Sequence, residues 1–326
     1  MPRRPLGRSG LTVTPIGLGL AALGRPGYIN LGHGDDLTGG THPGHDVAAM
    51  EARTHDVLDA AAALGIGYVD AARSYGRSEE FLASWLSARA IAAGTVTVGS
   101  KWGYTYTAGW QIEAEAHEVK DHSLATLDRQ WPETEALLGP WISLVQVHSA
   151  TLESGILDDD TVLDRLAEHR DAGTTIGLTT TGAAQAATIR RALDVERGGE
   201  RLFGSVQSTW NLLEPSAGPA LAEAHDAGLG VIVKEVVANG RLTGRGVAVH
   251  PATVASLAPD APLDQIAIAA ALAQPWADVV LSGAATIEHL QSNVAALGLE
   301  VDLDAAAAMA RPAEPYWAER GAMAWN

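Results

Sequence analysis

The chain of 326 residues contains no cysteine, and basic residues are scarce in it. Without cysteine, disulfides, thiolate nucleophiles and cysteine-ligated metal centres are all excluded. No apolar run approaches the roughly 20 residues of a membrane-spanning helix. Only 22 Lys and Arg stand against 39 Asp and Glu, so the formal net charge is −17. This charge argues against nucleic acid and anionic membranes as partners, since both would be repelled.

The N-terminal segment has some features of a secretion signal. Arg3, Arg4 and Arg8 precede the mostly apolar run 11–24. Polar residues, a proline and three glycines interrupt that run, which a signal peptide would not tolerate well. We therefore expect a cytoplasmic protein rather than a secreted one.

Hydrophobic residues make up 47% of the chain, which is enough for a large core. No low-complexity linker divides the sequence, and folds of this length often form one unit. We therefore expect a single domain over residues 1–326.

Eight short segments rich in β-branched residues alternate with alanine-rich, helix-forming segments. The strand candidates are Pro15–Leu20, Gly67–Ala71, Thr95–Ser100, Ile142–His148, Thr174–Thr179, Leu202–Ser208, Gly230–Lys234 and Asp278–Ser282. The helix candidates are Val47–Leu64, Glu79–Ala93, Glu113–Gln130, Thr161–Ala172, Ala184–Leu193, Ala217–Ala227 and Leu263–Gln274. This alternation predicts an α/β protein with parallel strands, and eight units predict a closed (β/α)8 TIM barrel. An open, doubly wound sheet is the alternative, because periodicity does not reveal closure.

Glycine follows four of the predicted helices, at Gly65, Gly94, Gly173 and Gly228. Glycine tolerates positive φ, so a helix can end there and the chain can turn into the next strand. These repeated helix ends favour the barrel prediction.

Residues 25–50 interrupt the regular pattern with six glycines, two prolines and three histidines (His33, His42 and His45). Their position after the first strand predicts a loop over the face where strands end. The loop is either a substrate lid or a solvated insertion. The spacing of the histidines matches no established metal-ligand pattern, so we expect no metal site there.

Ionisable side chains lie at or just after the C-terminal ends of three strand candidates. Asp70 and Tyr75 are found in GYVDAARSYG, Lys101 in TVTVGSKWG and His148 in SLVQVHS. Because a parallel barrel gathers the C-terminal ends of its strands on one face, we expect these four residues to be neighbours.

The four residue types suit proton transfer to a carbonyl oxygen or from an alcohol. A free tyrosine has a pKa of about 10, which a nearby ammonium group lowers. A carboxylate can hold the lysine in place, and a neutral histidine can donate a hydrogen bond to a substrate oxygen. None of these groups supplies electrons, so reduction needs a hydride cofactor.

At these residues the sequence resembles the aldo-keto reductase family. The motifs GIGYVDAARSYGRSEE, TVGSKWG and LVQVHS put Asp70, Tyr75, Lys101 and His148 at the family's four catalytic positions. The resemblance extends over nearly the whole chain, because it is also found in the segments LGRSGLTVTPIGLG, VQSTWNLLEP, ANGRLTG and SGAATIEHLQSNV.

The resemblance implies an oxidoreductase that interconverts a carbonyl (aldehyde, ketone or sugar) and an alcohol with NAD(P), without a metal. By this analogy Tyr75 is the general acid in reduction and Lys101 lowers its pKa. Asp70 pairs with Lys101, and His148 orients the carbonyl. The alternative is an ordinary buried Asp70–Lys101 ion pair beside two residues that only pack.

The resemblance also implies a cofactor site. Gln207 matches the residue that binds the nicotinamide carboxamide, and Thr179 and Thr180 replace a common Ser-Asn pair there. Segment 238–244 is expected to bind the pyrophosphate through backbone N–H groups, and Asn293 matches an adenine contact. The expected cofactor residues are Thr179, Thr180, Gln207, Lys234, Val236, Ala238, Gly240, Leu242, Gly244, Arg245, Gly283, Ala284, His289 and Asn293.

The residues near the expected adenosine phosphate depart from the family pattern. Gly283 and Ala284 stand where many members have lysine and serine, and His289 replaces a frequent arginine. Arg241 and Arg245 could compensate for the lost charges. We expect NADP from the habit of the family, with NAD as the second choice.

Lys234 ends the seventh strand, where the family usually has an aromatic ring against the nicotinamide. Its stem could cover the cofactor while its charge meets Glu235 or a phosphate. A surface ion pair between Lys234 and Glu235 is the alternative.

The substrate pocket is expected between the loops after strands one, three and four and the C-terminal tail. Tyr28, Trp102 and Trp317 are its main aromatic candidates, followed by Tyr104, Trp110 and Trp325. Packing in the core or at the rim is the alternative for each. We expect a small-molecule partner, but the sequence does not identify the substrate, the reaction direction or the oligomeric state.

The sequence also allows two rival functions. One is an NAD(P)-binding redox sensor or interaction protein with weak catalysis. The other is a barrel lyase, isomerase or hydrolase that uses Tyr75 and Lys101 without hydride transfer.

Overall fold

The strands of the protein enclose a barrel. The computed structural model describes residues 1–246, 257–258 and 261–326. Its strands are β1 (Arg4–Pro5), β2 (Thr12–Val13), β3 (Ile16–Gly19), β4 (Tyr68–Asp70), β5 (Thr97–Trp102), β6 (Tyr104–Tyr106), β7 (Glu118–Lys120), β8 (Ile142–Ala150), β9 (Thr175–Thr180), β10 (Glu196–Arg197), β11 (Glu200–Arg201), β12 (Ser205–Thr209), β13 (Gly230–Lys234) and β14 (Val279–Ser282). Strands β3, β4, β5, β8, β9, β12, β13 and β14 pair in parallel and close on themselves. These are the eight predicted strands, so the predicted TIM barrel is confirmed and an open sheet is excluded.

Helices surround this barrel. In the described residues they are α1 (His33–Thr38), α2 (Val47–Ala63), α3 (Ser78–Ala88), α4 (Leu124–Leu138), α5 (Asp160–Asp171), α6 (Gln185–Leu193), α7 (Gly218–Asp226), α8 (Leu263–Leu272), α9 (Ile287–Ala295), α10 (Leu303–Ala307) and α11 (Ala313–Gly321), with short 3-10 turns at Leu152–Ser154, Ile156–Asp158, Ala238–Gly240 and Ala296–Gly298. None of the helices in this part of the chain is both long and apolar enough to cross a bilayer.

Side-chain caps explain where several helices begin. Asp46, Ser123, Asp159 and Thr286 each precede a helix and accept a hydrogen bond from a backbone N–H of its first turn. Such a bond satisfies a donor that has no partner within the helix. At the other helix ends, the four glycines singled out in the sequence all have positive φ, from 78° at Gly65 to 107° at Gly173. This prediction is confirmed.

The predicted helix Glu113–Gln130 is wrong in its first half. Strands β6 and β7 form an antiparallel hairpin in which Tyr104 pairs with Lys120 and Tyr106 pairs with Glu118. Helix α4 begins only after the cap residue Ser123. The alanine- and glutamate-rich composition suggested a helix, but pairing with a distant strand overrides that local preference.

The hairpin of β1 and β2 closes the barrel at the N-terminal ends of its strands. Leu6 and Val13 are fully buried in one apolar cluster with Tyr68, Leu144 and Ile232 of the barrel interior. Since this end is plugged, any site must lie at the opposite face, where the strands end.

Segment 25–50 contains the short helix α1. Leu37 of this helix packs against Met50 and Phe81, and His33 is also fully buried. The alternative of a solvated insertion therefore does not hold for α1, while a lid that moves stays a prediction. Among the described residues, no group of three or more His, Asp or Glu side chains could hold a metal ion.

Candidate active site

Four ionisable side chains meet at the C-terminal ends of β4, β5 and β8, and we call them the four-residue cluster (Asp70, Tyr75, Lys101 and His148). Lys101 Nζ donates to Asp70 Oδ2 at 2.5 Å and to the backbone oxygen of Ala71 at 2.8 Å. The same ammonium lies 4.7 Å from the centroid of the Tyr75 ring. The rings of Tyr75 and His148 meet edge to face, with centroids 5.4 Å apart. The structure thus brings together the four residues that the sequence singled out.

The carboxylate of Asp70 is buried and fully engaged. Tyr68 Oη and Gln146 Nε2 donate to its Oδ1 at 3.1 and 3.2 Å, and Gln207 Nε2 donates to its Oδ2 at 3.1 Å. With Lys101, both oxygens therefore have charged or polar partners. A charged group can remain in a barrel interior when its atoms have such hydrogen-bond and ion-pair partners.

Tyr75 keeps its proton in this environment. Burial raises the pKa of Tyr75 well above its usual value, and the charge of Asp70 raises it further, while Arg25 lowers it. Lys101 Nζ lies 4.7 Å from the ring, so the expectation that it lowers this pKa stays a prediction, and burial together with Asp70 outweighs any such effect. A protonated phenol is the form that a general acid needs.

His148 is neutral. Burial lowers its pKa well below the usual value, and the charges of Lys101 and Lys234 lower it further. Its Nδ1 lies 3.4 Å from Ser74 Oγ. When the Ser74 hydroxyl donates to Nδ1, the imidazole proton resides on Nε2, which can then donate to a ligand.

A cavity of about 290 Å³ begins at the cluster and extends along the ends of β12, β13 and β14. Of the expected cofactor residues, those that line this cavity are Thr179, Gln207, Lys234, Val236, Gly283 and Asn293. Gly283 has open space where a Cβ would project. The cavity thus connects the proton-transfer groups with Gly283, which precedes α9, and with Asn293 of that helix.

The other expected cofactor residues do not line the cavity. Thr180 donates to Ser208 Oγ at 2.9 Å, and Ala238 and Leu242 pack in an apolar cluster around Tyr316. The other expected cofactor residues that lie outside the cavity wall are Gly240, Gly244, Arg245, Ala284 and His289.

Lys234 faces the cavity. Its Nζ lies 2.9 Å from Thr209 Oγ1, and burial lowers its pKa to about 8. Glu235 pairs instead with Arg320, at 2.5 Å. Burial opposes the ionisation of Glu235, but Arg320 and Lys234 outweigh it and hold its pKa at about 2. The suggested surface pair between Lys234 and Glu235 is therefore not formed.

The chain after β13 follows an unusual path. Glu235, Ala238 and Asn239 have φ of 53°, 50° and 56°, a region that non-glycine residues rarely adopt. The N–H groups of Val236 and Val237, both at the cavity wall, donate to no backbone acceptor in the described part of the chain. Such free backbone donors suit an anion such as a pyrophosphate.

Among the cavity residues that the sequence did not indicate are Arg25 and Glu118. Arg25 is only 3% exposed, and its Nη1 lies 2.9 Å from Glu118 Oε2. Its guanidinium packs 5.1 Å from the Tyr75 ring centroid and 4.7 Å from that of Trp325. The position of Arg25 in the loop that follows the first barrel strand was a usable signal, but Glu118 was hidden in the wrongly predicted helix.

The aromatic candidates for the substrate pocket divide into two groups. Tyr28 and Trp325 line the cavity. Trp102 does not, because it is 1% exposed and belongs to the main core. Trp317 packs edge to face on Tyr316, with centroids 5.7 Å apart, and also lies outside the cavity wall.

Comparisons with known proteins agree with the barrel fold. Residues 31–311 match the model of the Aldo/keto reductase family. An aldo-keto reductase from Bacillus halodurans in its holo form is 22% identical, with 96% of this chain and 97% of that chain covered and a TM-score of 0.73. A Pseudomonas aeruginosa protein described as an aldo-keto reductase is 24% identical, with coverages of 90% and 94% and a TM-score of 0.64. At these identities the structural matches show the fold alone. None of the curated proteins matches the chain.

Proposed function

The chain belongs to the aldo/keto reductase family, and we propose from this premise that it interconverts a small-molecule carbonyl and an alcohol with NAD(P)(H). The observation that supports this most is the four-residue cluster at the start of the cavity, with Lys101 4.7 Å from the Tyr75 ring. It combines a proton donor, a buried cation and a neutral imidazole around one space.

In the direction of reduction, Tyr75 donates its proton to the carbonyl oxygen. A reduced nicotinamide, which Gln207 and Thr179 would hold, would supply the hydride to the carbonyl carbon, so that the C=O double bond becomes an alcohol. His148, neutral because burial lowers its pKa, donates a hydrogen bond to the same oxygen as negative charge develops there.

Lys101 and Asp70 act on the tyrosine after its proton has left. The ammonium stabilises the phenolate that forms, since it lies close to the ring. Asp70 fixes the ammonium by an ion pair inside the barrel. In the reverse direction the same phenolate is the base that takes the proton of the alcohol.

The residues present fit a nicotinamide dinucleotide. Gln207 and Thr179 lie at the end of the cavity near the cluster and would hold the carboxamide. Lys234 and the free N–H groups of Val236 and Val237 would hold the phosphates. The open cavity wall beside Gly283 and Asn293 would take the adenosine.

A carbonyl panel tests this function. The protein would be incubated with reduced cofactor and with aldehydes, ketones and aldoses in turn, and the loss of reduced nicotinamide absorbance and the formation of alcohol would be measured. We expect oxidation that depends on the carbonyl, above a control without substrate. Cofactor binding without turnover of any carbonyl would contradict the proposal and would favour a redox sensor.

Lys234→Met is expected to raise the dissociation constant of the cofactor about tenfold, the loss of one charge-assisted contact. Since the pKa of Lys234 is about 8, binding to the native protein should also weaken as the pH rises through 8, where the ammonium loses its proton. Both effects would be measured by titrating the protein with cofactor at pH values about one unit apart, from about 6.5 to 9.5, and following the quenching of tryptophan fluorescence.

The matched control is Lys234→Arg, which keeps a charge that does not titrate in this range. This variant should bind cofactor at high pH, and neither variant should show the dependence around pH 8. If Lys234→Met binds as well as the native protein at every pH, the contact does not exist.

A further inference from the structure

The adenosine end of the cavity has a buried carboxylate beside it. Asn293 lines the cavity, and His289 lies one turn earlier on α9, on the same side of the helix. Asp36 of α1 is buried, and its Oδ2 lies 3.8 Å from His289 Nδ1. Helix α1 therefore places Asp36 against His289, which lies one helical turn from the cavity residue Asn293.

Asp36 also engages Arg245, the arginine that was expected to meet a cofactor phosphate. Arg245 Nη2 and Nη1 lie 2.5 and 2.9 Å from the two carboxylate oxygens. The same guanidinium donates to the backbone oxygens of Leu31 and Gly32. Its charge is thus neutralised and its donors are used in holding α1 in place.

Among the described residues, Arg53 and Arg241 do not replace the charge of Arg245 at the adenosine end of the cavity. Arg53 donates to the backbone oxygens of Leu37 and His42, and Arg241 packs 4.2 Å from the Tyr316 ring centroid and pairs with Glu319. The stretches 247–256 and 259–260 contain no lysine or arginine in the sequence.

The cations that line the cavity itself are Arg25, Lys234 and Arg320. Each of them has a partner at the end of the cavity near the four-residue cluster. Arg25 lies beside Tyr75, and Lys234 lies beside Thr209. Arg320 is paired with Glu235. The adenosine end is therefore lined by Ser282, Gly283 and Asn293 without a lysine or arginine among the described lining residues.

We propose that Asp36 makes this chain selective for NAD(H) over NADP(H). Asp36 acts by holding Arg245: a phosphate on the 2′-hydroxyl would bring about two negative charges to this end of the cavity, while the charge of Arg245 is already used by Asp36. An unphosphorylated ribose needs no cation there, because its hydroxyls are neutral. The inference rests on the proposed function and replaces the expectation of NADP, which came from family habit.

Binding measurements without substrate test the inference. The native protein would be titrated with NADH and with NADPH, following the quenching of tryptophan fluorescence. We expect NADH to bind at least about tenfold more tightly. Asp36→Asn keeps the size of the side chain and leaves the charge of Arg245 without its partner, so the preference for NADH should shrink severalfold, mainly through tighter NADPH binding.

Asp35→Asn is the matched control, since Asp35 is the exposed neighbour on the same helix. It makes the same charge change and should leave the NADH-to-NADPH ratio as in the native protein. Thermal unfolding would verify that α1 is intact in both variants, and the native ratio is informative even if Asp36→Asn unfolds.

The outcomes separate this inference from the proposed function. If both dinucleotides bind and NADPH binds as tightly as NADH, or if Asp36→Asn and Asp35→Asn change the ratio equally, the role of Asp36 is refuted while the reductase proposal stands. If neither dinucleotide binds, both fail.

Discussion

Replacing Tyr75 by phenylalanine should lower kcat/KM for carbonyl reduction by about 10²- to 10⁴-fold, the usual contribution of a positioned general acid. The substitution removes the hydroxyl and keeps the ring that packs against His148 and Lys101. The dissociation constant of the cofactor should therefore stay unchanged. Initial rates with the best carbonyl of the panel, together with fluorescence titration, would measure the two quantities separately.

Tyr104→Phe is a suitable control for this variant. The Tyr104 ring lies 4.8 Å from that of His148, yet Tyr104 is outside the cavity wall among the described residues. The same loss of a hydroxyl should have little effect on the rate there. If Tyr75→Phe kept full activity, or if both variants lost activity equally, Tyr75 would not be the proton donor.

Lys101→Met should lower the free energy of unfolding by about 3–5 kcal/mol, the typical cost of leaving one charge of a buried ion pair without its partner. Lys101 is almost fully buried, and its ammonium is 2.5 Å from the equally buried Asp70. Tyr68, Gln146 and Gln207 continue to donate to the carboxylate, which favours the lower part of that range. Urea unfolding followed by tryptophan fluorescence would measure the change.

A second substitution distinguishes the buried charge from lost packing. Asp70→Asn combined with Lys101→Met removes both charges, so the double variant should be more stable than Lys101→Met alone. Carbonyl reduction should remain low in both, because the phenolate of Tyr75 loses the cation that stabilises it. A Lys101→Met protein as stable as the native one would show that the pair contributes no stability.

The strands and helix ends were predictable because their signals are local. Runs of β-branched residues and a glycine after a helix, as at Gly65 or Gly228, act within a few positions of the chain. The order of Asp70, Tyr75, Lys101 and His148 was sufficient to predict their meeting once a barrel was assumed. The hairpin of β6 and β7 was not predictable in this way, because its strands are held by pairing with each other across a loop.

The finer features of the site depend on contacts between distant residues. Arg25 and Glu118 are 93 positions apart, and Asp36 and Arg245 are 209 positions apart. A local pattern cannot indicate such pairs. The raised pKa of Tyr75 was not predictable for a related reason, since it depends on burial and on the charge of Asp70.

The most direct test of the central claim is a label-transfer experiment. Reduced cofactor with deuterium at its transferable position would be mixed with protein and a carbonyl from the panel, and the alcohol would be analysed by mass spectrometry. We predict deuterium on the former carbonyl carbon with the native protein, and about 10²-fold or more slower labelling with Tyr75→Phe. Cofactor that binds while no carbonyl in the panel acquires deuterium would contradict the account.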